Sequence, residues 1–132
     1  MSKKIMVVDD EPDIRTYLMA ALEDHGYEPC TFRDNEPVID SILDEEPHLI
    51  ILDIMMPRRS GVSIYKELRA SQALRDIPII VISGISPAED FMEEGFKKLL
   101  NDPSLPLPEG FVEKPIKVPT LIQLVNKTLS EE

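Results

Sequence analysis

Leu49-Ile50-Ile51-Leu52-Asp53-Ile54-Met55-Met56-Pro57 is the stretch on which the fold turns. Its opening four residues are large and apolar without polar alternation, and the run is too short for a helix. It therefore reads as a strand covered on both faces, which is how strands of a parallel sheet are written. Asp53 closes that run, and an acid at the end of the most apolar segment of the chain needs a partner to offset its charge. Pro57 to Gly61 then reads as a turn.

Working outward, the same alternation repeats. Ile5 to Val8 is a second all-apolar run, followed by a helix over Pro12 to His25 with Ile14, Leu18, Ala21 and Leu22 at helical spacing. Gly26 is a suitable stop for it. Tyr27 to Phe32 is a weaker strand, and Pro29 assigns it to an edge because it removes a ladder donor. Asn35 to Glu45 carries Val38, Ile39, Ile42 and Leu43 on one helical face.

On the other side, a helix is expected over Gly61 to Leu74 and an apolar strand over Pro78 to Ile82. A helix over Pro87 to Leu100 follows, supported by Glu93–Lys97 and Glu94–Lys98 pairs four residues apart. Asn101 to Gly110 holds Pro103, Pro106 and Pro108 and reads as a loop. Phe111 to Glu113 makes a short last strand. Val118, Leu121, Ile122, Val125 and Leu129 mark a final helix, with Pro119 suited to its first turn. Strand–helix alternation of this kind implies right-handed crossovers and an open, doubly wound α/β fold with helices on both faces of a parallel sheet. With no repeat or second domain visible, residues 1–132 read as one domain without an effector domain.

Composition excludes several function classes. The net charge is −11, from 25 acidic and 14 basic residues, and no Lys/Arg cluster is present; direct nucleic-acid binding is not expected. No apolar run approaches the roughly 20 residues that span a bilayer, so no membrane insertion is expected. The single cysteine, Cys30, has no internal disulfide partner, which fits a reducing cytoplasm.

In open α/β sheets the functional groups sit just beyond the carboxyl ends of the strands. The first strand ends in Asp9 and Asp10, the third in Asp53, the fourth in Ser83 and Gly84, and the fifth runs into Glu113, Lys114 and Pro115. Each has an ordinary explanation when taken alone. Asp9 or Asp10 could cap the Pro12 helix, Ser83 could be a turn residue, and Lys114 could be a surface lysine. Together they bring three carboxylates, a hydroxyl and an ammonium to one cleft.

Crowded carboxylates repel, so positive charge must be near. Lys114 supplies one unit, and a divalent cation would balance the remainder. Oxygen-only donors select a hard ion, and Mg2+ suits two carboxylates plus a backbone carbonyl. A carboxylate in that setting can act as a nucleophile toward phosphorus, with metal and lysine offsetting the charge on the moving group. A hydroxyl such as that of Ser83 can then bind a phosphoryl oxygen.

Val7-Val8-Asp9-Asp10-Glu11, Leu52-Asp53-Ile54-Met55-Met56-Pro57 with Gly61, Ile82-Ser83-Gly84 and Phe111-Val112-Glu113-Lys114-Pro115 together resemble the CheY-like receiver domain of two-component response regulators. The resemblance spans essentially the whole chain and implies a flavodoxin-like sheet of order 2-1-3-4-5. It implies Asp53 as phosphoacceptor, Asp10 as direct Mg2+ ligand, Asp9 acting through water, and Met55 through its backbone carbonyl. Mn2+ could substitute for Mg2+. Lys114 resembles the lysine that pairs with the phosphoryl group, Ser83 the switch hydroxyl with Gly84 beside it, and Phe111 the aromatic that moves with Ser83. Plain core packing would equally account for Phe111. The Lys114–Pro115 bond resembles one that is cis in the family.

The implied partners are a histidine kinase or histidine phosphotransfer protein and a downstream effector protein. The domain would also catalyse its own phosphorylation and the hydrolysis of the aspartyl phosphate. His25 and His48, at a helix end and a strand start, are not phosphodonor candidates. Two alternatives stay open: a docking module that never takes up phosphate, and an intermediate phosphorelay carrier. A nucleotide-binding enzyme is disfavoured, because no glycine-rich loop follows the first strand. The interval from Ser83 to Lys114 is longer than usual in the family, and residues 101–110 are either a tolerated insertion or a docking surface.

Overall fold

The computed structural model describes residues 2–57, 59–84 and 89–130. In chain order they form β1 (Lys4–Val8), α1 (Pro12–Asp24), β2 (Glu28–Thr31), α2 (Val38–Glu45), β3 (Leu49–Asp53), α3 (Gly61–Ala70), β4 (Ile79–Ser83), α4 (Glu89–Leu100), β5 (Gly110–Glu113) and α5 (Val118–Ser130). The strands make one parallel sheet in the order β2-β1-β3-β4-β5. The doubly wound architecture read from the sequence is the observed one.

Because successive strand residues point to opposite faces, each apolar run supplies two cores at once. Met6, Val8, Ile50, Leu52, Ile79 and Val81 face the layer of α2, α3 and α4. Ile5, Val7, Leu49, Ile51, Ile80 and Ile82 face α1 and α5. Every residue of β3 and β4 is buried. At about 1.5–3 kcal/mol for each fully buried large aliphatic side chain, these central strands dominate the hydrophobic term. They hold the two strand ends nearest the sheet centre, those of Asp53 and Ser83, on a rigid base.

Helix α1 ends where Gly26 permits it. Gly26 has φ +88, its N–H donates to the Glu23 carbonyl, and the Tyr27 N–H donates to the Leu22 carbonyl. That bond pair is a Schellman closure. The edge strand β2 bonds only to β1, as Pro29 requires.

Two helix bounds differ from the sequence reading by three or four residues. Helix α2 starts at Val38 rather than Asn35, because Pro37 (φ −59, ψ 143) lies outside the helix and disfavours helical geometry at Glu36 before it. Its expected face is also incomplete, since Leu43 is exposed while Ser41 is buried. Helix α3 stops at Ala70, not Leu74: Ser71 turns extended, and Leu74 N–H and Arg75 N–H both donate to the Ser71 carbonyl in a following turn. The expected start of the fourth helix at Pro87 and the Glu93 pairing lie outside the described residues; Glu94 meets Lys97 at 3.5 Å.

Candidate functional site

In a sheet of this order the chain runs to opposite sides from β1 and from β3, and the crevice opens between their carboxyl ends. Asp9 directly follows β1 and Asp53 is the last residue of β3; both are buried. The two acids are held alike. Asp9 Oδ1 accepts the Glu11 N–H at 2.9 Å, and Asp53 Oδ1 accepts the Met55 N–H at 3.0 Å. Each carboxylate therefore has one oxygen tied to the backbone two residues on, the Asx geometry that short acids favour. The other oxygen is left to face the cleft.

Both free oxygens point at one ammonium. Lys114 Nζ lies 3.1 Å from Asp9 Oδ2 and 3.1 Å from Asp53 Oδ2, with Glu11 Oε1 at 3.3 Å. Lys114 gets there because β5 aligns Glu113 with Ser83, and the Lys114 N–H donates to the Ser83 carbonyl at 2.8 Å. The following Lys114–Pro115 bond is cis. Burial raises the Asp9 carboxyl above its ordinary range, reinforced by the neighbouring Asp53 charge and opposed by the Glu11 N–H and Lys114. For Lys114, burial alone would lower the ammonium; the bonds to Asp53 and Asp9 outweigh it, and the pKa is raised. The site keeps the lysine charged.

The β3–α3 loop is drawn tight. Met55 and Ser60 form an antiparallel bridge, and Ser60 Oγ accepts the Ser63 N–H at 3.1 Å as the cap of α3. Gly61 sits against the peptide of Asp53 and leaves no room for a side chain there. The Met55 side chain is turned out and half exposed.

Asp10 takes a different direction. Its nearest charge is Arg59, with Nε 3.3 Å from Asp10 Oδ1. Neither Asp9 nor Asp10 is the cap of α1; that position belongs to Glu11, which makes no side-chain cap bond. Ser83 is buried at the end of β4, and Gly84 lies beside the Lys114 side chain. Phe111 is half-buried and meets Phe96 edge-on at 5.7 Å between ring centroids; Phe96 in turn meets Tyr65 edge-on at 4.9 Å.

One oxygen each from Asp9, Glu11 and Asp53 lie within 4.8 Å of one another. Asp9 Oδ2 is buried with the Lys114 ammonium as its charge partner, and Asp10 Oδ2 is buried without a hydrogen-bond partner among the described residues. An all-carboxylate donor set with an orphaned buried oxygen fits a hard divalent cation such as Mg2+. Glu11 and Arg59 were not picked out as site residues from the sequence. Glu11 had a signal, because it completes the acidic triplet after β1. Arg59 had none, because nothing in a Pro-to-Gly turn says which side chain folds back.

This fold has known counterparts. A family model described as the response regulator receiver domain matches residues 5–126, and the chain belongs to that family, the receivers of two-component systems. Over 90 residues it is 33% identical to the phosphate regulon transcriptional regulatory protein PhoB of Escherichia coli, covering 68% of this chain and 39% of that protein. It is 37% identical over 100 residues to the alkaline phosphatase synthesis transcriptional regulatory protein PhoP of Bacillus subtilis, covering 76% and 38%. The chain thus spans well under half the length of these relatives. Among solved structures, the signal receiver domain of a histidine kinase from Syntrophus aciditrophicus superimposes with TM-score 0.79 at 26% identity, covering 98% of this chain and 92% of that one. The chemotaxis protein CheY4 of Vibrio cholerae shares the fold, with TM-score 0.76 at 23% identity, covering 96% and 98%.

Proposed function

We propose that this receiver domain accepts a phosphoryl group on Asp53 from the phosphohistidine of a histidine kinase or histidine phosphotransfer protein, and that the modified form controls a partner protein. The observation that carries this reading is the shared ammonium: Lys114 Nζ stands 3.1 Å from both Asp9 and Asp53.

Asp53 Oδ2 attacks phosphorus as the phosphorus–nitrogen bond breaks, and the electron pair of that bond stays on the donor histidine. Asp53 Oδ1 keeps its bond from the Met55 N–H, which holds the carboxylate plane during attack. Lys114 follows the charge onto the phosphoryl oxygens. Mg2+, or Mn2+ in its place, would be held by Asp9, Asp10, Asp53 and the Met55 carbonyl, and supplies compact positive charge to the transferring group. Once Asp53 is an acyl phosphate, Lys114 pairs with the phosphoryl oxygens in place of the carboxylate, and the cleft carries more negative charge than before. Ser83, the last residue of β4, and Phe111, inside β5, are the groups that would answer the new anion. Hydrolysis of the acyl phosphate by water resets the domain.

A protein output agrees with the net charge of −11, which disfavours contact of this chain with DNA. The names of the PhoB and PhoP relatives favour a second reading of the output, control of transcription. A cytoplasmic location goes with the proposed donor, and the free thiol of Cys30 agrees with it.

Incubation with acetyl phosphate and Mg2+, followed by intact mass measurement, tests the reading. One added phosphoryl group is expected on the native chain and none on Asp53→Asn. A chain that stays unmodified while still binding its partner would be a docking module instead.

A further inference from the structure

Asp10, one of the proposed Mg2+ ligands, is paired with Arg59, a residue to which the phosphoacceptor reading gives no task. The Asp10 side chain is 9% exposed and that of Arg59 24%, with Nε 3.3 Å from Oδ1. The pair is poorly made. Asp10 Oδ2 and Arg59 Nε are both buried, and neither has a hydrogen-bond partner among the described residues. Arginine binds carboxylates most firmly through two parallel N–H donors, and here the contact is a near approach of charges without that fork. Such a contact gives up its partner easily.

Arg59 also has somewhere else to rest. Its guanidinium lies over the Phe32 ring, 4.6 Å from the centroid. The same ring carries Arg15 at 5.3 Å, and Arg15 reaches Asp34 at 3.8 Å. Phe32 is buried, so the ring is a fixed platform. A guanidinium on an aromatic face keeps an electrostatic attraction to the ring without needing Asp10.

Charge balance points the same way. Asp9, Asp10 and Asp53 are three buried or nearly buried negative charges. Lys114 and Arg59 answer two of them when no metal is bound. A divalent cation beside Lys114 would answer all three, and Arg59 would then be surplus.

We infer that Arg59 is a built-in counter-ion for Asp10 which a divalent cation must displace, so that Arg59 sets the affinity of the acidic cleft for Mg2+. The inference rests on the metal-assisted reading of that cleft. Displacement swings the guanidinium outward on Phe32 and frees both oxygens of Asp10. Arg59 is a positioning residue in this scheme, acting through Asp10.

Isothermal titration of the metal-free chain with MgCl2 tests it, for the native protein, Arg59→Met and Arg59→Lys. Methionine keeps the apolar contact with Phe32 and removes the charge. Mg2+ should bind Arg59→Met about fivefold tighter, the size of a weak, partly exposed ion pair, and Arg59→Lys close to the native value. In the native protein the side-chain Nε–Hε NMR signal of Arg59 should also move on Mg2+ addition. Equal affinity in all three proteins with an unmoved Arg59 signal overturns the inference and leaves the cleft reading intact. No Mg2+ binding by the native chain overturns the cleft reading itself.

Discussion

Gly61 stands so close to Asp53 that a Cβ built on it would fall 2.3 Å from the Asp53 carbonyl oxygen and 2.4 Å from the Ile54 Cα. Both obstacles are backbone, so no rotamer change relieves them. The φ of Gly61 is not positive, and the demand is for space alone. Gly61→Ala should therefore push the β3–α3 loop off the strand end and destabilise the fold by about 3 kcal/mol, the upper range for an overpacked site. Gly84 is the internal control. A Cβ there meets Lys114 carbons at 3.7 Å, ordinary contact, and Gly84→Ala should change stability by less than about 0.5 kcal/mol. Urea denaturation of both variants checks the contrast.

Lys114→Met should be costly for a reason opposite to crowding. It leaves Asp9 and Asp53 facing one another with no cation between them. Breaking a fully buried pair costs roughly 3–5 kcal/mol; Lys114 is 19% exposed, so about 2 kcal/mol is expected at pH 7 without metal. The sign with pH follows from Asp9. Its carboxyl is raised in the folded chain, so the stability linked to its protonation is complete below the ordinary value of 3.8 and is lost as pH rises through the folded value. The deficit of Lys114→Met should shrink toward pH 4. Mg2+ should restore more stability to the variant than it adds to the native protein. Thermal melts across pH, with and without Mg2+, measure both effects.

The parallel sheet and the meeting of Asp9, Asp53 and Lys114 were legible from chain-local pattern, and the strand order from the resemblance to receiver domains. Four apolar runs each end in a polar residue, and a parallel sheet must place those ends side by side. Asp10 shows where this logic stops. Its neighbour in sequence, Asp9, turns into the cleft toward Lys114, whereas Asp10 turns to Arg59, 49 positions further on, and no spacing rule connects them. The apolar spacing of Val38 and Ile42 marks a helix but not its start, which Pro37 sets. Leu74 keeps helical spacing and is buried, yet it sits in a turn beyond the end of α3. Periodicity reports which residues are buried, and not always what carries them.

Cys30 gives a prediction independent of the cleft. Burial, reinforced by Glu45, pushes its thiol from about 9.0 up to about 12. The thiolate is the reactive form, so the folded chain should resist iodoacetamide at pH 8.5 while the urea-unfolded chain reacts readily. A raised acid contributes stability fully below the unfolded value. Above pH 9 the unfolded chain ionises first, and that contribution is lost progressively toward pH 12. Cys30→Ala removes this slope. Alkylation followed by mass measurement, and pH-dependent melts of the two proteins, would show it; fast alkylation of the folded chain would refute the burial argument.

Arg69 is a buried charge outside the cleft, with its side chain 3% exposed. Its Nε donates to Tyr65 Oη at 3.0 Å, and one terminal nitrogen donates to the Arg75 and Ile77 carbonyls at 2.9 and 3.0 Å. The other reaches Glu109 Oε1 at 2.8 Å, which also accepts the Ile79 N–H at 2.7 Å; Tyr65 Oη donates to the Pro106 carbonyl at 2.7 Å. The turn after α3, the start of β4 and the proline-rich loop are thus tied through one guanidinium. Glu109→Ala strands that charge and should destabilise by about 2 kcal/mol, discounted from the fully buried figure because Glu109 is itself partly exposed. Arg69→Met with Glu109→Ala should recover part of the loss, which a double-mutant cycle in urea measures. A replacement of residues 101–109 meant to probe partner docking would also remove Glu109 and Pro106. Loss of binding in such a variant would report a loosened sheet edge as readily as a missing surface. Shortening only Asp102 to Leu105 keeps both anchors, and unchanged partner affinity in that variant would reject docking through the outer part of the loop.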